Sequence, residues 1–328
     1  MAMVNPFTPN AFSLQTLTAA INNLKYAPGL LGSMGLFEEA GIATLDAAIE
    51  ERDGVLNLVD VTARGAPGKP LGGEARRIRS FRVPHLPQRA AILADEVQGV
   101  RAFGSENSAE SLMTRVNERL SNLRRNLDYT IESHRLAAVM GTFYDANGSA
   151  VSLFTEFGVS QETQSMALSA TASSKARENA ELVKEKIEAA LDGVSYSGID
   201  VICSPGFWKK LLEDKDNKES VLNWNAAATL RGDTRDAISL NGLTYMRYRG
   251  TSAVKVTDDC AYAIPRGVPG LFLTRFAPAN YNETVNTIGL PYYAKSIPMD
   301  FDKGYEIEAQ SNPINLCTRP AAIIKLTA

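Results

Sequence analysis

Side chains able to do chemistry are sparse in this 328-residue sequence. It contains neither a His-Glu-x-x-His nor a Gly-x-Ser-x-Gly motif, so its two histidines, His85 and His134, have no recognisable catalytic setting. The Gly68-Lys69 pair lacks the spacing of a phosphate-binding loop, and Pro70 stands where Ser or Thr would hold magnesium. We therefore predict no catalytic residue, no enzyme activity and no cofactor.

The cysteines do not indicate a metal site. Cys203, Cys260 and Cys317 form no Cys-x-x-Cys pair, so a structural zinc site is not expected. Their odd number argues against a disulfide framework and favours a reducing compartment. We predict that all three are small, buried apolar side chains.

Four acidic residues lie close together near the C-terminus: Asp300, Asp302, Glu306 and Glu308. Alternation along a strand would put Glu306 and Glu308 on the same face. A divalent-cation site, a solvated acidic face and an intersubunit salt bridge all stay open, with the two metal-free interpretations favoured.

The most unusual charge pattern lies in residues 64–89, which hold seven basic residues and one acid, a local charge of +6 in a chain whose net charge is −3. The segment could bind nucleic-acid phosphates, pair with acidic surface on a neighbouring subunit, or be a solvated hairpin. Phe81 is its only Phe, Tyr or Trp for stacking on bases, which favours the protein contact. The basic residues are Arg64, Lys69, Arg76, Arg77, Arg79, Arg82 and Arg89.

These side chains must be positioned by the surrounding elements. Alternating residues predict strands over 42–49 and 55–61, joined by a turn at Asp53-Gly54. Residues 64–73 contain four glycines and two prolines and are predicted to be a loop, and residues 74–83 alternate like a further strand.

The N-terminal residues are apolar and carry few charges. Ser13 is predicted to cap a short helix over 14–24, and the glycine-rich residues 28–37 are predicted to be a flexible apolar arm. Such an arm must cover its apolar surface against its own chain or against a neighbour.

The strongest periodicity predicts a single helix over about 107–140. Apolar residues recur there at spacings of three or four, and Asn107 with Glu110 resembles a capping box. Gly141 is predicted to end the helix. Beyond it we predict a strand over 151–157, helices over 173–192 and 207–212 with Ser173 or Ser174 capping the first, and strands over 199–203, 243–249, 261–264, 271–274, 305–310 and 322–326.

Overall composition is that of a soluble globular chain of about two domains, with 45% hydrophobic and 22% charged residues. The near balance of charge argues against a surface that grips nucleic acid throughout. No apolar run is long enough to span a membrane and no signal peptide is recognisable, so we expect a protein made in the cytoplasm.

The order of these elements resembles the major capsid proteins of tailed bacteriophages, and most closely the phage λ major head protein (capsid protein E) family. The resemblance is strongest in residues 289–296, 302–313 and 319–321, and residues 263–272 also fit. It implies an α+β, HK97-type capsid fold with an N-terminal arm over 1–50 and an extended hairpin (E-loop) over 51–99. A peripheral (P) domain would comprise 100–195 and 288–328 and include the long spine helix, and an axial (A) domain would comprise 196–287.

The function implied by the resemblance is structural. Copies of the chain would assemble through pentamers and hexamers into an icosahedral shell that encloses packaged double-stranded DNA without sequence-specific binding. A separate scaffold protein, a portal and a virion location after synthesis in the host cytoplasm also follow from it, whereas the presence of a decoration protein stays open. The seven basic residues listed above would contact a neighbouring subunit, with Glu118, Asp128 and Glu132 on the spine helix as acidic counterparts.

Two alternatives stay open at this point. One is the shell protein of an encapsulin-like cellular compartment with the same fold, which differs in holding protein cargo rather than DNA. The other is a nucleic-acid-binding protein that acts through residues 64–89.

Overall fold

A computed structural model describes residues 13–24, 29–52, 76–97, 108–218 and 237–328 of the chain. The helices in these residues are α1 Leu14–Asn23, α2 Leu30–Met34, α3 Ala94–Val97, α4 Ser108–Val139, α5 Leu153–Phe157, α6 Ala176–Leu191 and α7 Pro205–Glu213. The strands are β1 Glu38–Gly41, β2 Asp46–Arg52, β3 Arg76–Arg82, β4 Leu86–Leu93, β5 Thr142–Tyr144, β6 Ala150–Ser152, β7 Thr163–Ser165, β8 Gly198–Cys203, β9 Ala237–Leu240, β10 Leu243–Arg247, β11 Cys260–Arg266, β12 Phe272–Phe276, β13 Tyr293–Pro298, β14 Gly304–Ser311, β15 Pro313–Cys317 and β16 Ile324–Thr327. Short 3₁₀ turns occupy Asn282–Thr284, Asp300–Asp302 and Pro320–Ala322.

The long helix predicted from periodicity is confirmed as α4, which has 32 residues and is about 48 Å long at 1.5 Å per residue. Gly141 follows it with φ of +82°, a conformation that glycine adopts without steric cost. The helix is long enough to join two regions of the molecule. Its residues from Val116 to Ile131 share an apolar cluster with α1, β4, β13 and β14, and its last residues enter a second cluster around β12 and β15.

Helix α1 packs against the sheet β13-β14-β4, and both contribute side chains to the first of these apolar clusters. Leu17 and Ile21 of α1 are fully buried there, and Ser13 caps the helix as predicted, accepting the backbone N–H of Thr16 at 3.2 Å. The side-chain amide of Asn22 ties the helix to β13 by donating to the Tyr292 carbonyl at 2.9 Å. Helix α1 therefore buries Leu17 and Ile21 on its own chain.

The prediction of an irregular arm over 28–37 is wrong, because α2 forms within it. Leu31 and Phe37 are buried in the second cluster, around β12 and β15 of the same chain. Gly35 ends the helix with φ of +62°. The N-terminus of α2 is held by the side chain of Glu132, which lies about a hundred residues away, so local sequence could not indicate the helix.

The prediction of one strand over 151–157 is also wrong in part. β6 ends at Ser152, whose hydroxyl accepts the backbone N–H of Thr155 and caps α5. Leu153, Phe154 and Phe157 of this short helix are buried. Apolar runs this short fit a strand and a buried helical turn equally well, and burial decides between them.

The strand predicted over 42–49 is displaced to β2, Asp46–Arg52, and the strand predicted over 74–83 is confirmed as β3, Arg76–Arg82. β2 pairs with β3 in antiparallel register, with Asp46 opposite Arg82 and Arg52 opposite Arg76. The strand predicted over 55–61 and the loop predicted over 64–73 lie outside the described residues. The strands β2 and β3 are linked in sequence by residues 53–75, which include the predicted turn at Asp53-Gly54 and lie outside the described residues.

The largest sheet has six strands in the order β7-β16-β11-β8-β10-β9. Helices α6 and α7 pack on it and share its apolar cluster. The helices predicted over 173–192 and 207–212 are confirmed, but α6 begins after Lys175 without a side-chain cap rather than at Ser173 or Ser174. β7 and α6 precede residue 196, and β16 follows residue 287. The six-stranded sheet with its helices therefore includes elements from outside the range 196–287 that was predicted for the A-domain.

Candidate subunit interface

The basic residues of the hairpin lie partly within the described residues. Arg64 and Lys69 fall outside them, and Arg76 and Arg77 open β3, paired in register with Arg52 and Glu51 of β2. The structure thus brings this part of the basic segment onto a two-stranded ribbon.

Two further arginines of β3 lie against their own chain. Arg79 donates to the backbone carbonyl of Glu156, and its guanidinium lies 5.0 Å from the centre of the Phe157 ring. Arg82 is exposed, with its Nε 3.9 Å from a carboxylate oxygen of Asp46. Arg82 therefore has the freer side chain of the two.

Arg89 lies on β4 and meets the acidic cluster recognised in the sequence. Its Nε is 2.7 Å from Glu308 Oε2 and its Nη1 is 3.7 Å from Glu306 Oε1, both on β14. The bond to Glu308 raises the pKa of the Arg89 guanidinium. The hydroxyl of Tyr281 donates to the other oxygen of Glu308 at 3.2 Å. Glu306 and Glu308 thus have a cationic partner within the chain, and among the described residues no group of His, Cys, Asp and Glu is arranged to hold a metal ion.

The three acidic residues proposed on the spine helix have different surroundings. Glu118 is exposed and lies 3.2 Å from Arg115, one turn earlier. Asp128 accepts the hydroxyl hydrogen of Tyr292, and burial raises the pKa of its carboxyl group. Its nearest cation is Arg124, 3.7 Å away on the same helix.

Glu132 requires a correction. It is buried, with 7% of its surface exposed, and its carboxylate accepts the backbone N–H groups of Leu31 at 2.8 Å and Gly32 at 3.2 Å. A carboxylate at a helix N-terminus satisfies donors that have no partner within the helix. Glu132 therefore holds α2 of its own chain, and we no longer assign it to a contact with a neighbour.

Sequence analysis missed two arginines on the same face of α4. Arg124 donates to the backbone carbonyls of Ile21, Asn22 and Leu24 at the end of α1, and Arg135 donates to the side chain of Glu39. A signal was present, because residues 124, 128, 132 and 135 recur at the helical spacing of three or four. Buried charged groups are stable only when they are paired, and here their partners are the N-terminal elements.

Each of the two histidines packs against one polar or aromatic side chain of its own chain. Nδ1 of His85 lies 2.8 Å from Asn312 Oδ1, and the ring of His134 lies 4.6 Å from the Tyr144 ring. Burial lowers the pKa of His134 to about 4, so the ring is neutral at physiological pH. The three cysteines are free and buried, as predicted.

Residues 13–328 match the phage major capsid protein E family. The chain belongs to this family. It is 27% identical over 345 residues to the major capsid protein of Pseudomonas phage KPP10, with 98% of each chain covered. It is 23% identical over 355 residues to the major capsid protein of Salmonella phage Felix O1, with 97% of this chain and 96% of the relative covered.

Solved structures agree with this membership of the phage major capsid protein E family. A protein described as the capsid protein of an Escherichia coli CFT073 prophage is similar with a TM-score of 0.57 at 13% identity, covering 96% of this chain and 98% of that chain. At this identity the likeness shows the fold, and the chain has the α+β, HK97-type capsid fold expected from the sequence. As a member of the phage major capsid protein E family, the chain is a structural, shell-forming protein of the virion. Among the described residues, no helix has the length and apolar character needed to cross a membrane.

Proposed function

We propose that copies of this chain assemble through pentamers and hexamers into an icosahedral phage head that encloses packaged double-stranded DNA. The observation that carries the proposal is the family match over residues 13–328 on an HK97-type fold. The net charge of −3 also suits an inner wall that must hold DNA without gripping it. In this proposal the chain is made in the host cytoplasm and is not an enzyme.

The proposed partners are other copies of the chain, a separate scaffold protein, a portal and a decoration protein. We propose residues 1–50 as the N-terminal arm, 51–99 as the E-loop and α4 as the spine helix of the P-domain. For the A-domain we propose the six-stranded sheet with α6 and α7, because these share one apolar cluster. This assignment adds β7, α6 and β16 to the range 196–287 and removes them from the P-domain.

The proposed contacts between subunits involve the exposed Arg82, Arg89 and Glu118, together with the hairpin residues Arg64, Lys69, Arg76 and Arg77. Arg79 and Asp128 remain weaker proposals, because both side chains are only partly exposed, whereas Arg82, Arg89 and Glu118 are exposed although each also has a partner in its own chain. Surface charges of this kind contribute more to the choice and orientation of a partner than to affinity.

Negative-stain microscopy of the purified chain, alone and with its scaffold protein, tests the proposal. We expect closed shells, or rings and clusters of five and six subunits. A chain that stays monomeric in every condition with scaffold present would contradict shell formation. An encapsulin-like compartment is separated by content, because its particles would hold a protein cargo and no DNA.

A further inference from the structure

Phe301 is the most exposed large apolar side chain among the described residues, with 91% of its surface in solvent. It lies in the turn Asp300–Asp302 that connects β13 and β14, and its φ of +64° is a left-handed conformation. A bulky residue adopts such a conformation only at a steric cost. Backbone hydrogen bonds from Asp302 to Met299 and from Met299 to Gly304 close the turn. Among the described residues, the Phe301 ring meets the ammonium of Lys303, which lies 5.5 Å from the ring centre.

An apolar groove of about 620 Å³ lies between α1 and residues 284–293. Each of the ten residues that line it is uncharged. Val285 and Ile288, beside and within this wall, are exposed by 65% and 69%. An aromatic ring could enter this groove without stripping water from a charge. The lining includes Leu14 and Ala19 of α1 and, facing them, Ile288, Leu290 and Tyr293.

Phe301 and the groove lie at opposite ends of one strand. Tyr293 lines the groove and begins β13, while Pro298 ends β13 shortly before Phe301. The extended strand alone separates them by about 17 Å at 3.3–3.4 Å per residue. Phe301 therefore does not reach the groove of its own subunit, so an insertion of the ring into this groove requires a second copy of the chain. A protrusion and a groove on different surfaces of one subunit give head-to-tail contacts, which close into rings and shells.

We propose that the Phe301 ring of one subunit inserts into the groove between α1 and residues 284–293 of a neighbouring copy. Asp300 and Asp302 stay at the rim in water while the ring is buried. A single aromatic anchor in a pocket is the form in which a small part of an interface supplies much of its binding energy. The proposal rests on the shell-forming function, since only an assembly supplies the second copy.

Substitution by glycine separates assembly from folding. Phe301→Gly removes the ring and relieves the left-handed backbone, so the variant monomer should be at least as resistant to thermal unfolding as the wild type. We expect its critical concentration for shell formation to rise at least ten-fold. Phe301→Leu keeps an apolar side chain and should assemble better than Phe301→Gly.

The groove is tested separately by Ala19→Trp, which adds a large ring at an exposed position of α1 and fills the groove. We expect the same loss of assembly, whereas Leu45→Trp, at another exposed position, should assemble normally. Mixed shells of Ala19→Cys and Phe301→Cys single variants should give covalent dimers with a short bismaleimide, because the three native cysteines are buried.

Shells of Phe301→Gly or Ala19→Trp at wild-type concentrations would overturn this inference and leave the proposed function standing. Covalent dimers that form as readily between unassembled subunits would also overturn it. A wild-type chain that forms no shells with its scaffold would overturn both.

Discussion

The carboxylate of Glu132 accepts the backbone N–H of Leu31 at 2.8 Å, although 101 residues separate the two. This bond joins the C-terminal third of the long helix α4 to the N-terminus of α2. Gly29 lies so close to it that an added Cβ would stand 2.3 Å from the carboxyl carbon of Glu132. The charged face of α4 thus packs closely against the backbone at the N-terminus of α2.

This contact predicts a coupling between Gly29 and Glu132. Gly29 has φ of −65°, so alanine fits its backbone, but its Cβ would strike the side chain of Glu132. We expect Gly29→Ala to lower the free energy of unfolding by about 1–3 kcal/mol through overpacking. Glu132→Ala should lower it by about 2–4 kcal/mol, because two buried N–H groups lose a charged partner.

The double variant should lose less free energy of unfolding than the two single losses added together, since Glu132→Ala removes the group that Gly29→Ala strikes. Urea unfolding of the monomer measures the three values. Glu118→Ala is the control, because it removes an exposed helical ion pair and should cost less than about 0.5 kcal/mol. Strict additivity would show that the two residues do not touch.

His134 predicts a loss of stability on acidification. Burial lowers its pKa from 6.5 to about 4, so the native ring stays neutral over a range in which the unfolded chain binds a proton. The contribution of the neutral His134 ring to the free energy of unfolding is complete above pH 6.5. It falls by up to about 3 kcal/mol as the pH is lowered to 4, at 1.36 kcal/mol per pKa unit.

His134→Phe keeps a ring against Tyr144 and removes the titration. Wild type should therefore lose stability relative to this variant as the pH falls from 6.5 to 4, as measured by urea unfolding at each pH. A difference between the two proteins that stays constant with pH would contradict the assignment.

Gly141 predicts a packing requirement at the end of α4. A Cβ there would lie 2.0 Å from the Phe154 ring, and φ is +82°. Gly158→Ala is the matched control, because φ is +67° and nothing lies within 4 Å of the added atom. Gly158→Ala should cost about 1–2 kcal/mol for the backbone alone. Gly141→Ala should lower the free energy of unfolding, measured by thermal unfolding, by at least about 1 kcal/mol more than Gly158→Ala does. Equal losses in the two variants would exclude the clash with Phe154.

The hairpin predicts an assembly defect without a folding defect. Deleting 65–75 should leave the β2–β3 pairs and the melting temperature unchanged, because the base of the hairpin is closed by seven residue pairs. Shell formation should be lost. A full-length variant with Arg64 and Lys69 replaced by alanine keeps the length of the segment and removes only its charge. Loss of shell formation in this variant would show that the charge is required, and normal assembly would show that the length is. Unfolding of the deletion variant would show that the loop belongs to the core.

The buried thiols predict an unreactive native protein. Burial raises the pKa of Cys317 to about 12 and also raises that of Cys203, so almost no thiolate forms at pH 8. A colourimetric thiol assay should detect essentially no reaction in the native chain and three thiols after denaturation. Rapid native labelling would show that a cysteine region opens.

The elements with strong periodicity were predictable. The spine helix α4, the helix α6 and the strand β8 follow from apolar spacing within one segment, and the Ser13 cap follows from local backbone chemistry. The resemblance of the C-terminal segments was enough to indicate the family and hence the fold. Elements whose stability comes from distant residues were not predictable, as α2 shows through its dependence on Glu132.

The proposed contact residues divide in the same way. Sequence identified the basic segment and the acidic residues of α4 by charge alone, but charge does not show which groups are already paired. Folding placed Arg89 beside Glu308 and buried Glu132 under α2. It also exposed Phe301, an aromatic residue that no sequence pattern distinguished from a core residue.

The sequence by itself determined that the chain is an α+β protein built around one long amphipathic helix, without the motifs of an enzyme, because periodicity and motif spacing are local properties. Only the tertiary structure decided which charges face inward, where the apolar groove lies and which aromatic ring is left in solvent. Those features depend on contacts between residues far apart in the chain, and the free energy of such contacts is defined only once the whole chain has folded.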